Sequence, residues 1–333
     1  MSRPSSEPPL SDRILARIRR RPDRQYPLKT LAKSESVGVD QVVAAVHELR
    51  DCGYVIRLTK DKTRFRSAPD ILSSMEIKHH LRSKTLGRVV HGFRQLQSTN
   101  DLASDLAVHG APEGTIVTAD QQTRGRGRHG RTWHSPPETG IYVSIVLRPG
   151  VRPEKAPGLS LVAALALAEA IKPLVGDRVR IKWPNDILIS RRKTAGILTE
   201  LISHRSEIDY VVVGVGINVN QRARDFPNDL RDQTTSLRRA TRRKQSRVEL
   251  LCRFLERFEK EYYRFLRHGL GPLRKSLLGY STLIGRRVRL SDGRNTIEAE
   301  AIDIDVEGRL VIRAGDKETA VCAGEVTVLR RPN

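Results

Sequence analysis

The stretch Asp209 to Val219, DYVVVGVGINV, is almost entirely β-branched and glycine, and so continuous an apolar run belongs to a strand covered on both faces. Four companions surround it in the sequence: GTIVTAD, GIYVSIVLRP, VRIKWPNDILI and AGILTELI. Between and after them lie the helical patterns NDLASDLAVH, LSLVAALALAEAI and VELLCRFLERFEKEYYRFL. From about residue 71 to 276 the alternation of helices and strands predicts one α/β or α+β domain. After Gly279 the texture changes to short strands (RRVRL, EAEAIDI, RLVIR, AVCAGEVTVL) between tight turns such as SDGRN and DVEGR. That spacing predicts a small antiparallel barrel of the SH3-like type over residues 279–331.

The beginning of the chain reads differently. Residues 1–9 are a loose Ser/Pro tail. Over residues 10–70, SDRILARIRR with Ser11 as cap, LKTLAKSES, and DQVVAAVHELRDCG ending at Gly53 predict three helices, followed by a basic two-stranded hairpin, YVIRL and TKDKTRFRSA. This is the layout of a winged helix-turn-helix, which makes Gln41 a base-reading candidate and Lys60, Lys62, Arg64 and Arg66 phosphate contacts. The helix offered to the groove is poor in suitable groups, because near its start DQVVAAV supplies only Asp40 and Gln41. A small helical domain used for packing is the plain alternative.

A formal charge of +22 raises the question of a polyanion partner. In the first 70 residues Lys and Arg outnumber Asp and Glu only 15 to 9, so the basicity is spread along the chain and marks no single nucleic-acid patch. Cys52, Cys252 and Cys322 lie far apart with no metal-type spacing, as reduced thiols of a cytosolic protein would. The start, MSRPSSEPPL, has no apolar core, and Leu159 to Ile171 is short for a membrane span, so neither secretion nor membrane insertion is expected.

Four stretches of the middle domain carry the candidate chemistry. GRGRHG, Gly125 to Gly130, satisfies G-x-G-x-x-G, but RTWHSPP follows where a dinucleotide-binding turn needs a helix, and its prolines exclude one. What remains is a glycine-loosened loop with Arg124, Arg126, Arg128 and Arg131, suited to closing over an anion; an RG-rich disordered segment is the alternative. KWPND, Lys182 to Asp186, has good hairpin-turn chemistry, and it also sets an ammonium, the Asn185 amide and a carboxylate side by side, with Asp186 able to hold Mg²⁺ through water. Lys193 precedes an apolar strand and is either a functional cation or a solvated loop lysine. Asn218 and Asn220 end a buried strand, where an amide needs a partner or a ligand. No P-loop, zincin, α/β-hydrolase or direct metal-site signature is present, so catalysis by positioning and charge stabilisation is implied.

Taken together, QSTN (97–100), QTRGRGRHGRTW (122–133), KWPND (182–186), RKTAGILTE (192–200) and GVGINVN (214–220) resemble the biotin protein ligases, in particular the bifunctional kind that also represses the biotin operon. The resemblance implies a central biotin/lipoate-ligase-like domain with a mixed sheet over 71–276, in a cytoplasmic α+β multidomain protein. It implies formation of biotinyl-5′-AMP from ATP and biotin, with Mg²⁺, then transfer to a lysine of the biotin carboxyl carrier protein of acetyl-CoA carboxylase. Biotin contacts would fall to Ser98, Thr99, Asn100, Gln122, Arg126, Gly127, Arg128, Lys193 and Gly196. The nucleotide end would fall to Arg126, Arg128, Trp133 stacked on adenine, Asn185, Asp186 and Asn218, with Arg128, Lys182 and Lys193 catalytic. A homodimer of the adenylate-loaded form and operator DNA are the further partners implied. Ligase without repressor activity, or a lipoate ligase, are the alternatives. Arg124 stands where the family commonly has a small residue.

Overall fold

The computed structural model describes residues 8–204, 207–291, 296–322 and 324–329. The chain divides into two compact units, Met1–Asp70 and Ile71–Asn333.

The first unit consists of α1 (Leu10–Arg19), β1 (Tyr26–Pro27), α2 (Leu28–Glu35), α3 (Val39–Asp51), β2 (Val55–Leu58) and β3 (Lys62–Ser67), with strand order β1-β3-β2. Ile14, Leu15 and Ile18 from α1, Leu28 and Leu31 from α2, and Val42, Val46 and Leu49 from α3 recur at helical spacing and are buried, with Ile56 and Phe65 beneath them. Ser11 does not cap α1 as expected. The helix starts at Leu10, and Pro9, whose carbonyl accepts the Arg13 N–H at 3.2 Å, holds the N-cap position. Gly53 does end α3, in the left-handed region at φ 94°. Glu35 joins two turns of α1, accepting from Arg13 Nε at 2.8 Å and Arg17 Nη2 at 2.9 Å.

The second unit begins with α4 (Ser74–His80), β4 (Val90–Leu96), α5 (Thr99–Val108), β5 (Ile116–Gln122), β6 (Gly140–Leu147) and α6 (Pro157–Val175). It continues with β7 (Val179–Lys182), β8 (Asp186–Ile189), β9 (Arg192–His204), β10 (Glu207–Asn218), α7 (Leu237–Thr241), α8 (Arg247–His268) and α9 (Gly271–Tyr280). It ends with β11 (Arg286–Ser291), β12 (Thr296–Ile304), β13 (Leu310–Ala314), β14 (Lys317–Val321) and β15 (Glu325–Val328). A mixed seven-stranded sheet runs β4-β5-β6-β10-β9-β8-β7, with only β4 and β5 parallel. As the apolar run predicts, β10 is covered on both faces. Val211, Val213, Val215 and Ile217 join the core under α6 and α8, while Tyr210 and Val212 meet Ala103 and Ala107 of α5.

Helix α6 is apolar enough to cross a membrane by length and composition, yet 72% of its most apolar window is buried within the protein, which makes it the central core helix. Strand β4 escapes the sequence reading because it is an edge strand with most side chains exposed, so it lacks a hydrophobic period. The Gly114 to Asp120 strand begins instead at Ile116, since Gly114 turns at φ 82°. The last expected strand is two, β14 and β15, with Gly324 between them at φ 151°. The C-terminal sheet, β14-β13-β12-β11-β15, is open among the described residues, where a barrel would close; Leu310, Ile312, Val288 and Val326 share the core of α6 and α8.

One buried ion pair fixes the base of the long β5–β6 connection. Arg247, 2% exposed at its side chain, donates to Asp120 Oδ1 at 2.8 Å and to the Gly140 carbonyl at 3.2 Å. Burial pushes the Asp120 carboxyl above the usual range against the pull of Arg247.

A pH effect follows for the first unit. Hydrogen bonding to Arg13, with Arg17 beside it, holds the Glu35 carboxyl below its ordinary value of 4.5. A lowered folded pKa favours the folded form above the unfolded value and is lost as pH falls through the folded one. The unit should therefore weaken below about pH 4.5, and Glu35→Gln should flatten that fall, as read by chemical denaturation between pH 3 and 7.

Candidate functional site

The site is built on bare backbone. Along β10, Gly214 and Gly216 share the face turned away from α6, and Gly216 stands directly opposite Gly196 of β9. A β-carbon at Gly214 would overlap the Asn100 amide, and one at Gly216 would overlap the Trp133 indole; at Gly196 it would come within 3.0 Å of the same ring. Asn100 and Trp133 thus lie on the sheet itself, where any side chain would displace them.

Asn100 arrives there from the first turn of α5. Ser98 caps that helix, its Oγ accepting the Asp101 N–H at 3.3 Å, and Ser98, Thr99 and Asn100 are all 4–5% exposed. Gln122, at the end of β5, accepts from the Thr99 N–H at 2.8 Å and from Thr99 Oγ1 at 3.0 Å, and donates to Ser135 at 3.1 Å. Ser144 Oγ lies 2.8 Å from Thr99 Oγ1 and 2.5 Å from Asn100 Oδ1. Asn100 Nδ2 donates to Glu200 Oε2 at 2.6 Å. The result is a compact, neutral, mutually bonded polar floor with one carboxylate at its edge.

The glycine-arginine loop is ordered above this floor. The Gly127 N–H donates to the Arg131 carbonyl at 2.7 Å and the Trp133 N–H to the Gly125 carbonyl at 2.9 Å, so the loop closes on itself, excluding a disordered RG tract. Arg128 Nη1 reaches Asn185 Oδ1 at 3.3 Å on the far side of the cleft. Arg126 turns elsewhere, to Asp101 at 2.6 Å and Glu200 at 3.0 Å. Arg124 Nη1 reaches Gln97 Oε1 at 3.4 Å.

KWPND is the hairpin between β7 and β8 and also a wall of the cleft. Trp183 is structural, its indole N–H donating to the Gly308 carbonyl at 2.9 Å. Asn185 bonds the Ile197 backbone in both directions, each at 2.9 Å. Lys193 Nζ lies 2.7 Å from Asp186 Oδ1 and 5.4 Å from the Trp133 ring centre. The cleft, about 2030 Å³, is lined by Ser98, Thr99, Asn100, Gln122, Arg126, Gly127, Arg128, Trp133, Lys182, Asn185, Asp186, Lys193, Gly196 and Asn218, the residues the resemblance implies for biotin and nucleotide, while the candidates Arg124 and Asn220 lie outside its lining. The Asn218/Asn220 alternative resolves between the two. Asn220 is spent on the Gln245 backbone, donating and accepting at 2.9 Å, whereas Asn218 faces the cleft. Among the described residues no cluster of three or more metal-type ligands occurs, and Asp186 is the carboxylate paired with Lys193.

Of the glycine floor sequence reasoning found Gly196 but missed Gly214 and Gly216, and it missed Asp101, Ser144 and Glu200. The strand period could have found two of these features: Gly196 and Glu200 have the same parity on β9, as do Gly214 and Gly216 on β10.

In the first unit, the outward face of the hairpin carries Arg57 directly opposite Arg64, with Lys62 and Arg66 at alternate positions. Arg64 is tied to Asp23 at 2.8 Å, and Lys60 is exposed at the turn. Gln41 is exposed on α3, but its Oε1 accepts the Gly38 N–H at 2.9 Å and so serves as a helix cap. Besides Gln41, the solvent face of α3 shows Asp40, Ala44, His47, Glu48, Arg50 and Asp51.

Residues 92–218 match the biotin/lipoate A/B protein ligase family, and residues 283–329 match the biotin protein ligase C terminal domain. The chain is 38% identical to the bifunctional ligase/repressor BirA of Bacillus subtilis over 286 residues, covering 85% of this chain and 88% of that one. It is 35% identical over 251 residues to the biotin–[acetyl-CoA-carboxylase] ligase of Mycobacterium tuberculosis, covering 72% and 91%. The structure of the Aquifex aeolicus biotin protein ligase in complex with biotin and ATP is similar at a TM-score of 0.63 and 28% identity, covering 73% of this chain and 99% of that one. With a polar floor, a folded arginine loop and a cation-lined wall on one mixed sheet, and at this identity over most of its length, the chain belongs to the biotin protein ligase family.

Proposed function

We propose that this chain joins biotin to ATP, forming biotinyl-5′-AMP with release of pyrophosphate, and then passes biotin to a lysine of a biotin carboxyl carrier protein. The observation that carries the reading is the arrangement of the cleft: the neutral polar floor of Ser98, Thr99, Asn100 and Gln122 lies under the same loop whose Arg128 spans to the Lys193–Asp186 side. The floor suits an uncharged ring with donors and acceptors, such as a ureido group. The cation side suits a phosphate.

Roles follow from placement. Ser98, Thr99, Asn100, Gln122, Gly127 and Gly196 frame biotin, with Arg126 holding the loop above it. Arg128, Lys182 and Lys193 hold negative charge where carboxylate and α-phosphate meet, and fixed charges aimed at developing charge lower a barrier without reorganisation. Trp133 offers an aromatic face for adenine, and its indole N–H is buried with no acceptor among the described residues. Asn185 and Asn218 flank the nucleotide. ATP supplies the adenylyl group, with pyrophosphate as the leaving group; a Mg²⁺ bound to its phosphates would have Asp186 as the carboxylate at that wall, beside Lys193.

We further propose a repressor role, with an adenylate-loaded homodimer binding operator DNA through residues 10–70, read as a winged helix-turn-helix, and with the C-terminal residues 279–331 read as an SH3-like unit. The exposed hairpin cations Arg57, Lys60, Lys62 and Arg66 favour an anionic partner. On α3 the three exposed carboxylates Asp40, Glu48 and Asp51 outnumber the one exposed cation Arg50, so the phosphate contacts fall mainly on the hairpin cations.

Three outcomes are expected. Full-length protein with ATP, Mg²⁺ and biotin retains an adenylate detectable by mass spectrometry, and biotin, not lipoate, labels a carrier domain; a missing adenylate overturns the ligase reading. Lys193→Ala slows pyrophosphate release by about 100-fold or more. For DNA, a selection from random duplexes at physiological salt enriches a sequence only if the repressor reading holds. Replacing Lys60, Lys62 and Arg66 by Ala should lower the salt slope by about one per lost phosphate contact, with ligase activity untouched.

A further inference from the structure

We propose that Glu200 and Asp101 are positioning residues. Through Arg126 they hold the glycine-arginine loop against the sheet, and through Asn100 Glu200 ties that loop to the floor of the cleft. The inference rests on the ligase reading only for its second readout.

The two arginines of GRGR part company in the structure. Arg128 crosses the cleft toward Asn185, while Arg126 gives its guanidinium to two carboxylates, Asp101 Oδ1 at 2.6 Å and Glu200 Oε1 at 3.0 Å. These carboxylates come from different elements: Asp101 from the first turn of α5, Glu200 from the site face of β9. One loop cation thereby clamps a helix to a strand. A second, smaller depression of about 370 Å³ lies beyond them, lined by Asp101, Ser104, Glu200, Ile202 and Tyr210, so Arg126 stands in the wall between it and the cleft. The loop has an anchoring arm and a ligand arm.

Glu200 does more than pair with charge. Its Oε2 also accepts from Asn100 Nδ2 at 2.6 Å, and Asn100 rests on Gly214 with its Oδ1 against Ser144. From Ser144 the polar contacts run through Thr99 and Gln122 to Ser135, which donates to the Trp133 carbonyl at 3.1 Å. Both ends of the loop, Arg126 and Trp133, are therefore fastened to one continuous network under the cleft. Glu200 is its charged member. Removing that charge leaves Arg126 to Asp101 alone and loosens the amide of Asn100 in one step.

The side chains are partly exposed, 46% for Arg126 against 56% for Asp101 and 33% for Glu200, so each ion pair shifts an opening equilibrium only a few-fold. Loss of both is expected to change it by about fivefold.

The loop supplies its own assay, because Arg124, Arg126, Arg128 and Arg131 are trypsin sites. Ligand-free, full-length protein carrying Asp101→Asn and Glu200→Gln is digested beside wild type, and peptides cut inside residues 124–131 are timed by mass spectrometry. The expected result is cleavage there about fivefold faster, with arginines elsewhere cut at the wild-type rate and the thermal midpoint unchanged. Asp101→Glu, which keeps the charge, should retain the slow rate. Equal loop cleavage in the double variant and wild type overturns the proposal, and so does a uniform acceleration at arginines throughout the chain. In the second readout, adenylate preloaded on the double variant should dissociate several-fold faster than from wild type. If wild type forms no adenylate, the ligase reading fails while the proteolysis result still decides this one.

Discussion

Three glycines on one face of the central sheet set the terms for the rest of the site. With no side chain at Gly196, Gly214 and Gly216, an amide from α5 and an indole from the β5–β6 connection can rest directly on the backbone. Contact that close fixes depth as well as position, so the polar floor and the aromatic wall share one reference plane. The opposite face of the same strands is packed with Val211, Val213, Val215 and Ile217 against α6 and α8. The sheet is thus rigid because one face is crowded and receptive because the other is empty.

The long β5–β6 connection must present its loop without unravelling, and its two ends are held differently. At its base, Arg247 from α8 reaches through the core to Asp120 and Gly140, a buried pair whose charges are both spent inside the protein. Breaking such a pair costs more than forming it gains, since the surviving charge stays buried alone. At its tip the fastening is exposed and polar, through Arg126. The connection is permanent where it leaves the sheet and exchangeable where it meets solvent.

Most of this was legible in the sequence where residues obey a period or a local rule. The buried strand from Asp209, the hairpin at Pro184-Asn185-Asp186 and the helix stop at Gly53 each follow from short-range physics. So did the membership of the cleft, since each motif expected there is found lining it. Pairings between distant elements were not legible. That Asn220 is spent on Gln245, that Arg126 answers to Asp101 and Glu200, and that Gln41 caps its own helix depend on which groups the fold brings within 3 Å. The edge strand β4 was missed for a related reason: its pairing partner, not its side chains, makes it a strand.

The cleft cations carry a last consequence. Lys193 sits on Asp186, Arg126 on Asp101 and Glu200, and Arg128 reaches the Asn185 amide. An incoming phosphate therefore exchanges partners with these groups more than it neutralises bare charge, and its net gain is the difference between two sets of hydrogen bonds. A carboxylate is a strong competitor and an amide a weak one. By that measure Lys193, on one carboxylate, gives up a close ion pair, and Arg126, held by two, gives up more. The pair of carboxylates is what keeps Arg126 with the loop when a ligand enters the cleft.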